Sequence, residues 1–514
     1  MSRRQRHREP EAGARTYFGW QPEKVAFLFG MSGQRAVMLG AAVLTAVWPL
    51  TVSNLSAGLV AWPIAALLAA LVFVRMGGRT VDEWATAVAS YGSGRWRDKH
   101  KFISGPFNPL GRHDRPKPID LPGVLAPIQI LDARMPDGLP VAISYHALDR
   151  TYTAVARVRF PSLGLADSSR REHRVSGWGG LLAGLCTEGN PISRVQALQR
   201  LVPESAAALR RWHADHLHPD APAHAVEVTS GLLGTSTLAT SQREAYLAFT
   251  MDGRRAARQI KNAGGGTAGA AAVLTRHLRA LGSAVAGADL RVQEWLGPRD
   301  LAEVIRTAFD PDSVQHLSER RAAARRDHSS AVAAGVDPGL AGPTAAESSA
   351  GSYTHDGGKS VTYWVHSWPK SHVYSTVLGP LLGEGHHRRS ISLHIEPLGP
   401  REAEREVMRE RTARSAAVRL RQRTGQIIPE HEREALERAQ TQDAERASGH
   451  GLVRFTGYVT ATVTRPDELE DACAALEADA AAAGIALRRM WFAQDIGFAM
   501  SALPLGFGLP QRRW

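Results

Sequence analysis

Four histidines, His213, His216, His218 and His224, lie within a dozen residues of one another in the 514-residue chain. Imidazoles are the commonest zinc ligands, and His213 and His216, three apart on a helix, share a face. The Pro and Asp residues between them read as surface loop, so a solvated helix end competes with a metal site; sequence leaves open whether the cluster binds metal. His386-His387 offers a second, weaker pair. The run Ala263-Gly264-Gly265-Gly266-Thr267-Ala268-Gly269 invites comparison with a phosphate loop. It lacks the Lys-Ser/Thr that faces β- and γ-phosphates in a Walker A motif, and it joins two helical patterns rather than a strand to a helix, so a helix–helix connection is expected. Cys186 and Cys473 are the only cysteines, far apart and each in apolar, helix-like context, which is neither a disulfide framework nor a zinc site. Buried structural thiols and a reducing location are expected. Gly-x-Ser-x-Gly, His-Glu-x-x-His and a strand-linked Gly-x-Gly-x-x-Gly are all absent. No catalytic, cofactor-binding or metal-binding residue is therefore assigned, no cofactor is expected, and the chain is read as not an enzyme.

The elements that would position any chemistry begin with two uncharged apolar stretches, Ala36–Val52 and Ala57–Val74, separated by Ser53-Asn54-Leu55-Ser56. At about 17–18 residues each they reach the lower end of what spans a hydrocarbon core. Basic residues crowd both flanks. Residues 1–35 carry a net +4 and residues 75–117 a net +5, three-quarters of the total of +12. The expectation is a two-pass hairpin over 36–76 in the plasma membrane, with both termini cytoplasmic and the flanking charge facing anionic lipids of the inner leaflet. That placement of charge argues against direct nucleic-acid binding, and mean hydropathy of −0.22 is otherwise that of a soluble chain.

Beyond the hairpin the expected fold class is α+β, with mixed α/β cytoplasmic domains. A basic arm occupies 1–35, an amphipathic juxtamembrane helix 77–103, and a Pro/Gly-rich linker 104–127. Residues 128–321 form a first α/β region that opens with three antiparallel strands, and Arg299–Phe309 is a helix bounded by Pro298 and Asp310-Pro311. Residues 322–350, rich in Ala, Gly, Ser and Pro, read as a flexible insertion, and 351–401 as a strand region. Residues 402–447 form a projecting charged helical pair. The last unit, 448–514, is strand–helix–strand: Leu452–Thr464, a helix opened by Pro466 and closed by Gly484, then Ile485–Trp491. With parallel strands it is a right-handed crossover.

The arm, the hairpin and the phrase Arg79-Thr80-Val81-Asp82-Glu83-Trp84 with Tyr91 resemble the PrgI-like small inner-membrane proteins of conjugative type IV secretion systems. The run Phe455-Thr456-Gly457-Tyr458-Val459-Thr460, then Pro466-Asp467-Glu468-Leu469-Glu470, Leu487-Arg488-Arg489 and Ala502-Leu503-Pro504-Leu505-Gly506, resembles the end of the N-terminal domain of the secretion ATPases. Their nucleotide-binding motor domain has no counterpart here. With Arg150-Thr151-Tyr152-Thr153-Ala154-Val155 and Gly177-Trp178-Gly179-Gly180-Leu181-Leu182, most of the chain is similar to membrane proteins encoded with conjugation-type ATPases in Gram-positive bacteria. The resemblance implies an inner-membrane scaffold, oligomeric within a complex of channel subunits, that docks a separate secretion or conjugation ATPase for DNA or protein transfer. Competing expectations are a core component of a type VII (ESX-like) apparatus, a membrane-bound hydrolase or transferase using the histidines, and a membrane-tethered DNA-binding regulator.

Overall fold

The computed structural model describes residues 33–51, 55–73, 75–76, 79–107, 119–159, 167–203, 207–236, 241–326, 334–369, 373–374, 376–383, 385, 387–423, 433, 437, 440–441 and 451–508. Most of the basic arm, the middle of the linker and most of the second half of the charged pair lie outside them. In chain order the described elements begin with α1 (Gly33–Thr51), α2 (Leu55–Phe73), β1 (Arg75–Met76), β2 (Arg79–Thr80), α3 (Val81–Trp96) and β3 (Lys101–Ile103). The first half of the body follows: β4 (Ile128–Arg134), β5 (Pro140–His146), β6 (Thr151–Arg159), α4 (Ser168–Leu185), β7 (Ile192–Pro203), α5 (Ala207–His216), α6 (Ala223–Ser236), β8 (Ser241–Asp252), α7 (Ala257–Asn262), α8 (Gly266–Gly287), β9 (Arg291–Trp295), α9 (Pro298–Phe309) and α10 (Ser313–Arg326). The second half comprises β10 (Ala345–Ser348), β11 (Tyr353–His355), β12 (Gly358–Ser367), α11 (Gly379–Leu382), β13 (Arg388–Pro397), α12 (Pro400–Arg423), β14 (Val453–Val463), α13 (Leu469–Ala482), β15 (Ala486–Arg489) and α14 (Gln494–Ser501).

The α+β class holds, but the transmembrane hairpin does not. Helices α1 and α2 form and pack on each other, with Trp62 Nε1 donating to Ala46 O at 3.2 Å and Ala42, Ala61 and Ala65 buried at the crossing. Among the described residues, however, no helix is long and apolar enough to cross a membrane. Each of the two carries an internal proline, Pro49 or Pro63, which removes a hydrogen bond of the helix ladder. Helix α1 also begins on the polar Gly33-Gln34-Arg35. The two-pass plasma-membrane placement with cytoplasmic termini is therefore corrected. Helix α3 touches the body through Tyr91, whose hydroxyl donates to Ser348 O at 3.2 Å and whose ring meets Phe492 at 5.3 Å.

Strands β3 to β15 form one sheet of thirteen among the described residues, in the order β3-β10-β11-β12-β14-β13-β7-β8-β6-β5-β4, with β15 beside β12 and β9 beside β6. This order contains the same arrangement twice. In the first half β6, β7, β8 and β9 lie in space as β9-β6-β8-β7; in the second, β12, β13, β14 and β15 lie as β15-β12-β14-β13. Each is a split βαββαβ unit preceded by a hairpin at its edge. Strands β7 and β13 pair antiparallel, Ala197 opposite Leu393, which relates the halves by an approximate two-fold axis. Two details repeat. Leu296 N donates to Val155 O at 2.9 Å after β9, and Met490 N to Thr362 O at 2.9 Å after β15. Thr153 and Thr250 hydroxyls bond at 2.9 Å between β6 and β8, and Ser360 and Thr462 at 2.8 Å between β12 and β14. The terminal crossover is thus part of the second unit: β14 and β15 both run antiparallel to β12, hence parallel to each other, with β12 between them.

Side chains alternate between the two faces with the strand period. On one face Val141, Ile143, Ala154, Ala156, Leu247 and Phe249 pack under α8 with Leu181 and Leu185 of α4. On the same face of the second half Val361, Tyr363, Val459 and Ala461 pack under α13. On the opposite face α9 and α14 form a core common to both halves, where Phe309 and Phe498 meet at 5.2 Å. Helix α9 forms between the expected bounds and is amphipathic: Pro298 stands at its first turn, Leu301, Ala302, Val304, Ile305, Ala308 and Phe309 are buried, and Asp310 before Pro311 ends it. The supposed insertion is partly ordered into this body. Arg299 Nε holds Ala334 O at 2.7 Å, and Ala345–Ser348 enters the sheet as β10; residues 327–333 lie outside the described set.

The phrase Gly177-Trp178-Gly179-Gly180 gives a direct test of packing. A Cβ at Gly177 would stand 2.7 Å from Ala288 Cα and 2.9 Å from Gly287 O, where α4 crosses the end of α8, whereas one at Gly179 meets nothing within 4 Å. Gly177→Ala is expected to lower urea stability by about 1–3 kcal/mol. Gly179→Ala is expected to be neutral or to add up to about 1 kcal/mol through helix propensity. Equal losses at both positions would refute the close crossing.

Candidate functional site

The residues singled out by type are not brought together. His213 and His216 sit on α5; the His216 ring stacks on Trp212 at 4.5 Å, and its Nδ1 donates to Trp212 O at 2.8 Å. His218 Nδ1 accepts from Asp220 N at 3.2 Å in the loop, and His224 lies in α6. Among the described residues no group of three or more His, Cys, Asp or Glu side chains is placed to hold a metal ion. His386 is outside the described residues. The glycine run connects α7 to α8, with Gly264, Gly265 and Gly266 all at positive φ, and works as a tight helix–helix turn. Cys186 donates to Leu452 O at 3.3 Å, and burial pushes its thiol up, as it does that of Cys473. Neither is poised as a thiolate.

The polar groups that do converge lie along the seam between β7 and β13, on the face covered by α9 and α14. Gln196 Nε2 donates to Ser392 Oγ and to Leu503 O, each at 2.9 Å, and its Oε1 accepts from Gly506 N at 2.9 Å. His394 Nε2 donates to Met500 O at 2.8 Å, while its Nδ1 is buried without a partner. Arg194 pairs with Glu396 at 2.8 Å and donates to Gly506 O at 2.8 Å. One half therefore clamps the chain end of the other.

A second group surrounds the end of α9. Arg200, 1 % exposed, makes two hydrogen bonds to Glu244 Oε2, one of 2.9 Å from Nε and one of 2.5 Å from Nη2, and donates to Val304 O at 2.9 Å. Arg388 Nη2 donates to Thr307 O at 2.7 Å. Both cations face the negative end of the α9 dipole. Burial works to raise the Glu244 carboxyl, and the Arg200 charge and hydrogen bonds, with help from Arg388 and Arg157, outweigh it and hold it below the usual range.

His355 and Ser360 form a Ser–His contact, Nε2 to Oγ at 2.8 Å, with the ring's Nδ1 donating to Phe309 O at 2.5 Å. A nucleophile pair needs access to substrate and a base that titrates near neutrality. Here the side chains are 1 % and 0 % exposed, Ser360 is shared with Thr462, and burial pushes His355 down to about 4. The contact ties the second half to α9 and presents no nucleophile. None of these seam residues was legible as a group, because their spacing in sequence follows no motif.

Outward from the seam, α12 is seated on the body at its start. Ala403 and Val407 are buried, Arg454 pairs with Glu406 at 2.9 Å and Arg255 with Glu402 at 3.4 Å; Met408, Arg409, Arg411 and Arg419 are exposed. The helix has 24 residues, about 36 Å at 1.5 Å per residue. No family model matches the chain, and no curated protein matches it in sequence.

Proposed function

We propose that this protein is a non-catalytic scaffold of a conjugation or type IV-like secretion system, which docks a separate P-loop ATPase. The observation that carries the reading is the make-up of α12: Ala403 and Val407 are seated on the body, and the turns that follow are highly charged, with Arg409, Arg411 and Arg419 exposed. Long solvated helices of this kind gain stability from i,i+4 charge pairs and offer a surface to a partner rather than to a core. The single thirteen-stranded sheet beneath gives such an arm a rigid base. The resemblance of Phe455–Thr460 and Leu487–Arg489 to the docking part of secretion ATPases supports the choice of partner, since these residues lie in β14 and β15 of the second unit.

The test is affinity purification of the tagged full chain from cells that express it natively, with partners identified by sequence. A protein carrying a Walker A motif is expected to co-purify, and to be lost when residues 409–447 are deleted while the chain keeps its unfolding midpoint. Absence of any such ATPase, or ATP turnover by the purified chain alone, would overturn the reading.

A further inference from the structure

The two halves of the sheet do not end alike. In the second half the outer edge of β10 is covered by β3, antiparallel, with Lys101 opposite Glu347. Strand β4 is the counterpart of β10, since each is the outer strand of the hairpin that precedes a split unit. Among the described residues no strand lies beyond β4. The groups on that edge follow from two hydrogen bonds that bracket the strand. Met135 N donates to Leu139 O at 2.8 Å and Ala147 N to Pro127 O at 3.3 Å, so the odd-numbered residues between them face β5. The backbone N–H and C=O groups of Ile128, Ile130, Asp132 and Arg134 therefore point outward, a row open to another strand.

We infer that this edge pairs with the same edge of a second copy of the chain, antiparallel and centred on Ala133. The side chains select both the partner and the register. Asp132 and Arg134 are exposed, and among the described residues neither is ion-paired. Two residues apart on a strand, they share a face. Like charges on an edge oppose pairing, whereas opposite charges at this spacing favour it. Centred on Ala133, Asp132 stands opposite the partner's Arg134, and Arg134 opposite the partner's Asp132. These are the residues whose outward backbone groups exchange hydrogen bonds. On the other face Leu131 and Ala133 lie at the margin of the core under α8, with Met135 buried in it. There Leu131 meets the partner's Met135, and Ala133 meets its own counterpart on the axis, where opposed Cα atoms approach to about 4.5 Å and small side chains fit. A register centred on Leu131 instead sets Asp132 against the partner's Ile130 and leaves Arg134 opposite the partner's Ile128, with no charge pair formed. The pairing is isologous and closes at the dimer. It is smaller than a standard interface of about 1,600 Å², so micromolar affinity is expected rather than a permanent assembly. The inference goes beyond the scaffold reading and does not rest on it, because loss of residues 409–447 leaves β4 in place.

Sedimentation velocity of the full chain over a micromolar concentration series tests this, and a monomer–dimer equilibrium is expected. Asp132→Arg sets cations against cations across the axis, and Arg134→Asp sets anions against anions. Each variant alone is expected to weaken the dimer at least tenfold. An equal mixture of the two variants restores both opposite-charge pairs in a mixed dimer, and is expected to recover the unaltered affinity. The mixture separates loss of pairing from loss of fold, since misfolded chains do not rescue each other. A chain that stays monomeric up to about 100 µM, single variants that dimerise as the unaltered chain does, or a mixture that binds no tighter than its components would overturn the pairing.

Discussion

Glu244→Gln is expected to lower the unfolding free energy by about 3–5 kcal/mol, because it leaves Arg200 buried at 1 % exposure with its charge uncompensated. The carboxylate of Glu244 serves Arg200 through two hydrogen bonds, and also faces the fields of Arg388 and Arg157. Urea titration with a constant m-value gives the measurement. The double variant Arg200→Met with Glu244→Leu removes both charges and is expected to lose far less than the single one, since apolar residues of similar size tolerate such a site. A single variant within 0.5 kcal/mol of the unaltered chain would mean that water already reaches the pair. The pH dependence follows from the same shift. Glu244 is held below its unfolded value, so its contribution is fully present above about pH 4.3 and disappears as the pH falls through the folded-state value.

A second loss is expected at higher pH, from His355 and His394. Burial pushes them down to about 4 and about 3, against about 6.5 for an unfolded histidine. Between about pH 6.5 and 4 the unfolded chain therefore binds protons that the folded chain refuses, and stability falls as the pH falls. For two rings the loss between pH 7 and 4.5 is on the order of 5 kcal/mol at 1.36 kcal/mol per unit each. Urea midpoints at these two pH values measure it, and His355→Gln should remove about half of the slope. Equal midpoints at pH 7 and 4.5 would show that neither ring is sealed in the neutral form. Below about pH 4.3 the Glu244 loss adds to that of His394, so the interval between pH 7 and 4.5 reads the two rings apart from the Glu244 carboxylate.

These sites differ in how far sequence reveals them. Helix α9 and the series β14, α13, β15 were legible because their signals are local: Pro298 and Asp310-Pro311 bound one, and Pro466 and Gly484, the latter at φ +68°, bound the other. The first part of the charged pair was legible as α12 for the same reason. The apolar stretches were correctly read as two helices and wrongly given a bilayer. A run without charge fixes helix and burial preference, but does not say what covers it. Residues 345–348, in an Ala/Ser-rich context, took strand form because β11 and β3 flank them with free backbone groups.

What sequence determined alone was therefore those elements whose ends are marked locally, where caps, prolines and hydrophobic period act within a few residues; the stretch around Ser241–Asp252, with a helix-like spacing, became strand β8 between β6 and β7. Tertiary structure decided what joins residues far apart in the chain: the antiparallel seam of β7 with β13, the pairing of Arg200 with Glu244, and the sealing of His355 and Ser360 under Phe309. The physical reason is that a buried charge or ring is defined by what surrounds it, and that surrounding is assembled only when two similar halves close on each other across one pair of strands.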